Sequence, residues 1–153
     1  MDLVALKSEI TRDEGRRNYP YKDTAGIWTG GIGENLVAHG CSQEQIDIWR
    51  STGIPDDTID YWYDKAVAEA IACCQSVFPS FDTLSDNCQR ALTNLAFDLM
   101  YELRDWPRLR AAIAAQDWPA AAMSIMDSKF AAQAPNRSKR LADMIDVPAS
   151  EHS

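Results

Sequence analysis

The segment "DEGRRNYPYKDTAGIWTGGIGENL" (residues 13–36) carries two acids and a hydroxyl at fixed spacing among five glycines. Eight residues separate Glu14 from Asp23, and five separate Asp23 from Thr29. Upstream, Leu3, Leu6 and Ile10 recur at helical spacing, and Glu14 continues the series four residues later. Gly15 then suits a helix C-terminus. Glu14 is therefore expected at the end of a buried stripe, where desolvation would raise the pKa of a carboxyl group. Tyr21, Ile27, Trp28 and Ile32 suit strands, and Thr24-Ala25-Gly26 suits a tight turn. Gly30, Gly31 and Gly33 would weaken a strand interior, so each marks a bend or a close backbone approach. The segment reads as a small, twisted antiparallel sheet behind a helix.

Outward from it, the composition changes. All seven glycines lie between Gly15 and Gly53. Ser42 with Gln45 forms a capping-box pattern that predicts a short helix over 42–50. A longer helix is expected from about Pro55, with Asp56 and Asp57 favourable to its dipole. Its stripe of Ile59, Trp62, Ala66, Val67, Ala70, Ile71, Cys74 and Val77 runs some six turns, long enough to link two lobes. Residues 85–100 begin at a good cap, Ser85. Residues 105–116 and 117–128 each begin Asp-Trp-Pro, an aspartate with proline in the first turn. Residues 135–145 form a last amphipathic helix, with Asn136 as its candidate cap. The tail after Pro148 is expected to fray.

The 153 residues suit one domain or two small lobes, and 46% hydrophobic content suffices for a core. A net charge of −8 argues against nucleic acid or an anionic membrane surface as partner. The N-terminal "MDLVALKSEITRDEG" has no uninterrupted apolar run, so neither a secretory signal nor an anchor is expected there. The four cysteines form no Cys-x-x-Cys, and only His39 and His152 could join them as soft ligands; buried, reduced thiols are expected, and no zinc site. "TGGIGENL" lacks the lysine and spacing of a phosphate loop.

Two acids in unequal surroundings suit glycoside hydrolysis, in which one carboxyl protonates the leaving oxygen and the other activates water or stabilises positive charge. Asp before Thr is equally ordinary turn chemistry. The pieces "RDEG", "YPYKDTAGIWT", "GIG" followed by "NL", and the late "QAPNRSKR" (133–140) resemble the phage lysozyme family, the muramidases of T-even phages and their relatives. "LTNLAFDL" (92–99) resembles that family's central hydrophobic helix. The resemblance covers nearly the whole chain and implies an α+β, mostly α, lysozyme-like fold. Its small lobe spans about 13–58, a linking helix about 55–78, and a helical lobe about 80–148 together with helix 2–13. It also implies cleavage of the β-1,4 bond between N-acetylmuramic acid and N-acetylglucosamine in peptidoglycan, with no metal or organic cofactor. Glu14 would be the general acid, Asp23 the base or electrostatic partner, and Thr29 the residue holding the attacking water. Arg137 matches an arginine that pairs with the catalytic glutamate in relatives; its other reading is a surface arginine at a helix start. Asp98, Gly31 and Phe130 are the remaining supporting or substrate-side positions. The setting read from it is a phage endolysin that reaches the wall through a holin-type pore, or a virion-associated muramidase, with a monomer as the default; the outcome is inversion if a water sits between the two carboxyls, whereas a closer pair would favour a covalent route. The competing reading is a lysozyme-like domain that binds glycan or a protein partner without cleaving it.

The chain departs from the family pattern at two places. Glu34 follows "GIG", where many relatives carry His or Arg, the His of the T-even form pairing with an acid on the long helix; Glu34 is read as a reversed pair with Lys65 or as an exposed loop acid. Asp98 stands where an amide is common; it would raise the pKa of Glu14 by like-charge repulsion or bond to Arg137. Trp28, Trp106 and Trp118 are candidate sugar platforms, packing being favoured for the last two. His39 is read as a turn residue. "RSKR" (137–140) is read as a local basic patch or a solvated face.

Overall fold

A computed structural model describes residues 1–152. The fold is α+β and mostly helical: eight α-helices and one three-stranded antiparallel sheet among the described residues. The chain divides into two compact units, Lys7–Ala66 and Met1–Leu6 with Val67 onward.

The first of these units holds most of α1 (Leu3–Glu14), then β1 (Arg17–Lys22), β2 (Trp28–Gly31), β3 (Glu34–Asn35), α2 (Gln43–Thr52) and the start of α3 (Asp56–Val77). Gly15 N–H bonds to Thr11 O at 2.7 Å and has φ +77°, which ends α1 as expected. β1 pairs with β2 through Arg17↔Gly31, Tyr21↔Thr29 and Lys22↔Trp28. Between Arg17 and Tyr21 the register shifts, a bulge that includes Pro20, which has no N–H to give a ladder. β2 pairs with β3 through Thr29↔Asn35 and Gly30↔Glu34. The close approaches expected of the glycines are present. A Cβ on Gly30 would stand 2.5 Å from Ile54 Cδ1, and one on Gly31 3.4 Å from Ile59 Cγ2. Ile10, Ile32, Leu36, Ile46, Ile54 and Ile59 are buried beneath the sheet and α2. Arg16 bridges Asp56 (3.3 Å) and Asp60 (2.9 Å), fastening the residue after α1 to the first turns of α3.

The other unit contains the rest of α3, α4 (Asp86–Leu99), α5 (Pro107–Ala114), α6 (Trp118–Met126), α7 (Lys129–Gln133) and α8 (Pro135–Ile145). One continuous core runs through it, from Ala70, Cys74 and Val77 to Leu92, Leu95, Leu109, Ile125, Leu141 and Ile145. Cys73, Cys74 and Cys88 are buried in that core, and burial pushes the Cys88 thiol up to about 12, so these thiols stay protonated and inert.

Several caps match their sequence signals. Ser42 accepts from Gln45 N, Ser85 from Cys88 N, and Asp117 from Ala120 N. The parallel start at Asp105 does not form: a 3-10 turn over Met100–Asp105 runs straight into α5, leaving Trp106 at the cap position with no side-chain bond. Asn136 lies inside α8, whose cap position is Ala134, because Pro135 already supplies the helical φ at the first residue. The tail does not fray through His152. Residues Ala149–His152 form a 3-10 turn in which His152 stacks on Trp118 at 3.8 Å. Its Nε2 bonds to Ile145 O at 2.8 Å, and Nδ1 pairs with Ser85 Oγ at 3.0 Å. The 137–140 stretch is no basic patch: Arg137 and Ser138 are buried, and Lys139 is taken by Asp143 at 2.6 Å.

Candidate active site

Glu14, Asp23 and Thr29 all belong to the Lys7–Ala66 unit. Each hangs on a different local device. Glu14 is the last residue of α1 and is half-buried. Gly33 passes directly against its side chain. A Cβ there would lie 2.5 Å from Glu14 Oε2, 3.1 Å from Cδ and 3.2 Å from Cβ. Gly33 also has φ +66°, so both its conformation and its surroundings call for glycine.

Asp23 opens the β1–β2 hairpin. Its Oδ1 accepts the N–H groups of Ala25 and Ile27, each at 2.9 Å, and its backbone N–H bonds to Ile27 O at 3.0 Å. Gly26 completes the turn at φ +77° with its N–H on Asp23 O. The carboxylate is thereby fixed through one oxygen, and Oδ2 takes no protein donor among the described residues. Such fixing is the ordinary turn chemistry of aspartate, and it also leaves one oxygen for other work.

Thr29 lies in the central strand, 7% exposed. Its Oγ1 donates to Ile27 O at 2.9 Å. With that proton committed, the hydroxyl offers only lone pairs to a further group. Gly31 serves packing: its φ of +58° turns the chain after β2 and its Cα faces Ile59.

The remaining named positions lie in the other unit. Arg137 is 8% exposed; its Nε donates to Asn94 Oδ1 at 2.9 Å and its Nη2 to Asn94 O at 3.2 Å. Its guanidinium lies 5.7 Å over the ring of Phe130, which is itself buried. Phe130 therefore supports Arg137 from the core side. Arg137 is not a surface arginine. Asp98 is exposed and makes no bond to Arg137, because Asn94, a turn earlier on the buried face of α4, holds the guanidinium instead. Asn94 was findable: it is an amide inside an otherwise apolar stripe, where a buried polar group needs a partner.

Glu34 does not pair with Lys65. Its Oε2 lies 2.5 Å from His39 Nε2, and the His39 ring stacks on Trp62 at 4.5 Å. A five-residue local connection brings this pair together more readily than a contact to α3. His39 is thus more than a turn residue: it joins Glu34 to the aromatic pair of Trp62 and Trp49, whose rings meet edge-on at 5.9 Å. Trp28 is half-buried between Lys22 and Arg50, and Trp118 is packed in the core.

Two comparisons with known proteins bear on the family. The chain is 25% identical, over 162 aligned residues and 95% of both sequences, to a probable T4-type lysozyme 2 of Dictyostelium discoideum. Residues 11–142, which include Glu14, Asp23, Thr29 and Arg137, match the phage lysozyme family, and the chain belongs to that family.

Proposed function

We propose that this glycoside hydrolase cleaves the β-1,4 bond between N-acetylmuramic acid and N-acetylglucosamine, with Glu14 as general acid, Asp23 as base or electrostatic partner, and Thr29 as the anchor of the attacking water. The observation that carries the reading is the seating of Glu14 against Gly33. A general acid must be held in place, and a carboxyl packed against bare backbone cannot swing toward that side. Asp23 is held differently: two N–H donors fix its Oδ1 and leave Oδ2 for other work. Two carboxyls seated by such different devices suit a pair of acids with different duties. Thr29 presents lone pairs, so a water bound to it donates a proton to Oγ1 and keeps its own lone pair for attack. Inversion follows if that water stands between the two carboxyls. The proposed setting is host lysis by a monomeric enzyme, held in the host cytoplasm and released through a holin-type pore to the periplasmic wall; no helix of the described residues is long and apolar enough to cross a membrane by itself.

Glu14→Gln tests the proposal on outer-membrane-stripped cells. The wild type should clear the suspension, and the variant should lose at least about a thousandfold in rate at an unchanged thermal midpoint. Absence of clearing by the wild type, with clean binding to purified wall, would instead establish the non-cleaving reading. Proton NMR of the first-formed anomer decides inversion against retention.

A further inference from the structure

Within the Lys7–Ala66 unit lies a cavity of about 550 Å³ that shares no residue with the Glu14–Asp23–Thr29 set. Asn18, Tyr19, Trp49, Thr52, Gly53 and Asp56 are among the residues lining it. The β1 bulge creates it. The irregular register between Arg17 and Tyr21 covers Asn18 and Tyr19, and bulges commonly re-aim side chains in this way. The opposite wall is pinned to the bulge by two bonds: Ile54 N donates to Asn18 O at 2.7 Å, and Asn18 Nδ2 donates to Ile54 O at 3.1 Å. Gly53, at φ +83°, brings bare backbone against the Tyr19 ring; a Cβ there would meet Tyr19 Cε1 at 3.6 Å.

Three features define what fits. Tyr19 is a large aromatic side chain left 58% exposed, and Trp49 is a half-buried aromatic braced edge-on by Trp62. Such rings offer flat apolar platforms with a polar margin. The polar groups are acceptors. Both Asn18 Nδ2 protons are spent, on Ile54 O and on Asp56 Oδ1 at 2.9 Å, which leaves the amide oxygen. Asp56 Oδ1 is taken by Asn18 and Arg16, which leaves Oδ2. Finally, hydrogen bonds from Asn18 and then Arg16 hold the Asp56 carboxyl ionised, below its usual range; Arg16 is shared with Asp60, which Lys7 also meets at 3.4 Å, so the two carboxylates beside the site are balanced by two cations.

A neutralised, acceptor-bearing cavity beside aromatic rings suits a pyranose: its axial C–H face lies on a ring while its hydroxyls donate to Asn18 and Asp56. An ammonium group would also meet rings and acceptors, but Arg16 already supplies the positive charge. We propose that this cavity is a second, non-catalytic glycan site that holds a neutral N-acetylhexosamine unit of the wall polymer. It rests on the peptidoglycan reading given above and adds to it a way for a catalytic domain to stay on an insoluble substrate.

The test uses the full chain in the Glu14→Gln background, titrated with the tetramer of N-acetylglucosamine and followed by the indole and tyrosine ring resonances in NMR. A saturable shift of the Trp49 indole is expected. Tyr19→Ala, with little change in thermal midpoint, and Asp56→Asn, with the small drop expected from loss of its ion pair to Arg16, should each weaken it at least fivefold, and Tyr19→Phe should retain it. Tyr61→Ala, which removes another exposed tyrosine, should leave it unchanged. On whole sacculi, Tyr19→Ala and Asp56→Asn in the Glu14 wild-type protein should clear more slowly while keeping the wild-type rate on soluble fragments. A Trp49 resonance that does not move, one indifferent to Tyr19→Ala, or one that responds to Nα-acetyl-lysine amide and not to the sugar would overturn the proposal. The catalytic reading fails separately, by undiminished clearing in Glu14→Gln, which the titration does not depend on.

Discussion

Replacing Gly33 by alanine isolates the positioning of Glu14. The new Cβ would stand 2.5 Å from Oε2, where a carbon–oxygen contact needs about 3.3 Å. The carboxylate must therefore retreat by roughly 0.8 Å, or rotate away altogether. Because it is the far end of a flexible side chain, the retreat itself costs little stability. The folding penalty is set by the backbone: a Cβ at φ +66° costs about 1–2 kcal/mol, and about 2–4 °C of thermal midpoint per kcal/mol is usual for a chain of this size. Activity is more sensitive, since a misplacement near 1 Å can cost on the order of a hundredfold, or about 2.7 kcal/mol in the barrier. Gly40→Ala is the matched control. Gly40 has φ +82° in the same unit, with nothing within 4 Å of a new Cβ, so it incurs the backbone cost alone. The assay is the initial rate of reducing-sugar release from purified peptidoglycan, alongside thermal unfolding. Both variants should unfold a few degrees early, and only Gly33→Ala should lose about two decades of rate. If the two lose activity equally, the contact between Gly33 and Glu14 does not position the acid.

Removing the His152 ring by His152→Ala should cost about 1 kcal/mol through its two hydrogen bonds and its stacking on Trp118, and should red-shift tryptophan emission as Trp118 gains solvent. Arg16 holds Asp60 below its usual carboxyl range, and Asn18 and then Arg16 do the same for Asp56. The stability these carboxylates contribute is therefore fully present above about pH 4 and is lost as pH falls through their depressed values. Arg16→Gln should flatten the fall in thermal midpoint below about pH 4, which unfolding scans over a pH series will show.

Features written in backbone periodicity and capping chemistry were legible in the sequence. The Ser42, Ser85 and Asp117 caps, the end of α1 at Gly15 and the turn at Gly26 each follow from a residue whose chemistry suits one conformation. The failures share one cause: the deciding residue carried no such preference. The left-handed positions at Met100 and Gln116 fall in a stretch without glycine, so nothing marked them. Asp105 looked identical to Asp117, yet a 3-10 turn arriving from Met100 had already set the chain direction. The β1 bulge left only Pro20 as a trace, and a proline is equally at home on an edge strand.

The same distinction separates the parts of the candidate site. The spacing of Glu14, Asp23 and Thr29 is a one-dimensional quantity and survives in the sequence. The glycines between and after them record a requirement whose cause lies elsewhere. Gly33 is glycine because of Glu14, nineteen residues earlier, and Gly30 because of Ile54, twenty-four residues later. A reading along the chain finds the permission for a close approach without finding what approaches. Polar pairing failed for the opposite reason. Glu34 had two basic residues to choose from, and the analogy with an ion pair to the long helix favoured Lys65. The local route to His39 prevails because a histidine five residues away closes a short loop, and its ring simultaneously gains the face of Trp62. One imidazole thus answers a charge and an aromatic surface together, which a lysine could do only by giving up water around its ammonium. Substituting Glu34→Gln should therefore cost less than His39→Ala, because the stacking on Trp62 remains when the charge is removed and disappears with the ring. If the two cost the same, the carboxylate and not the aromatic face holds the loop.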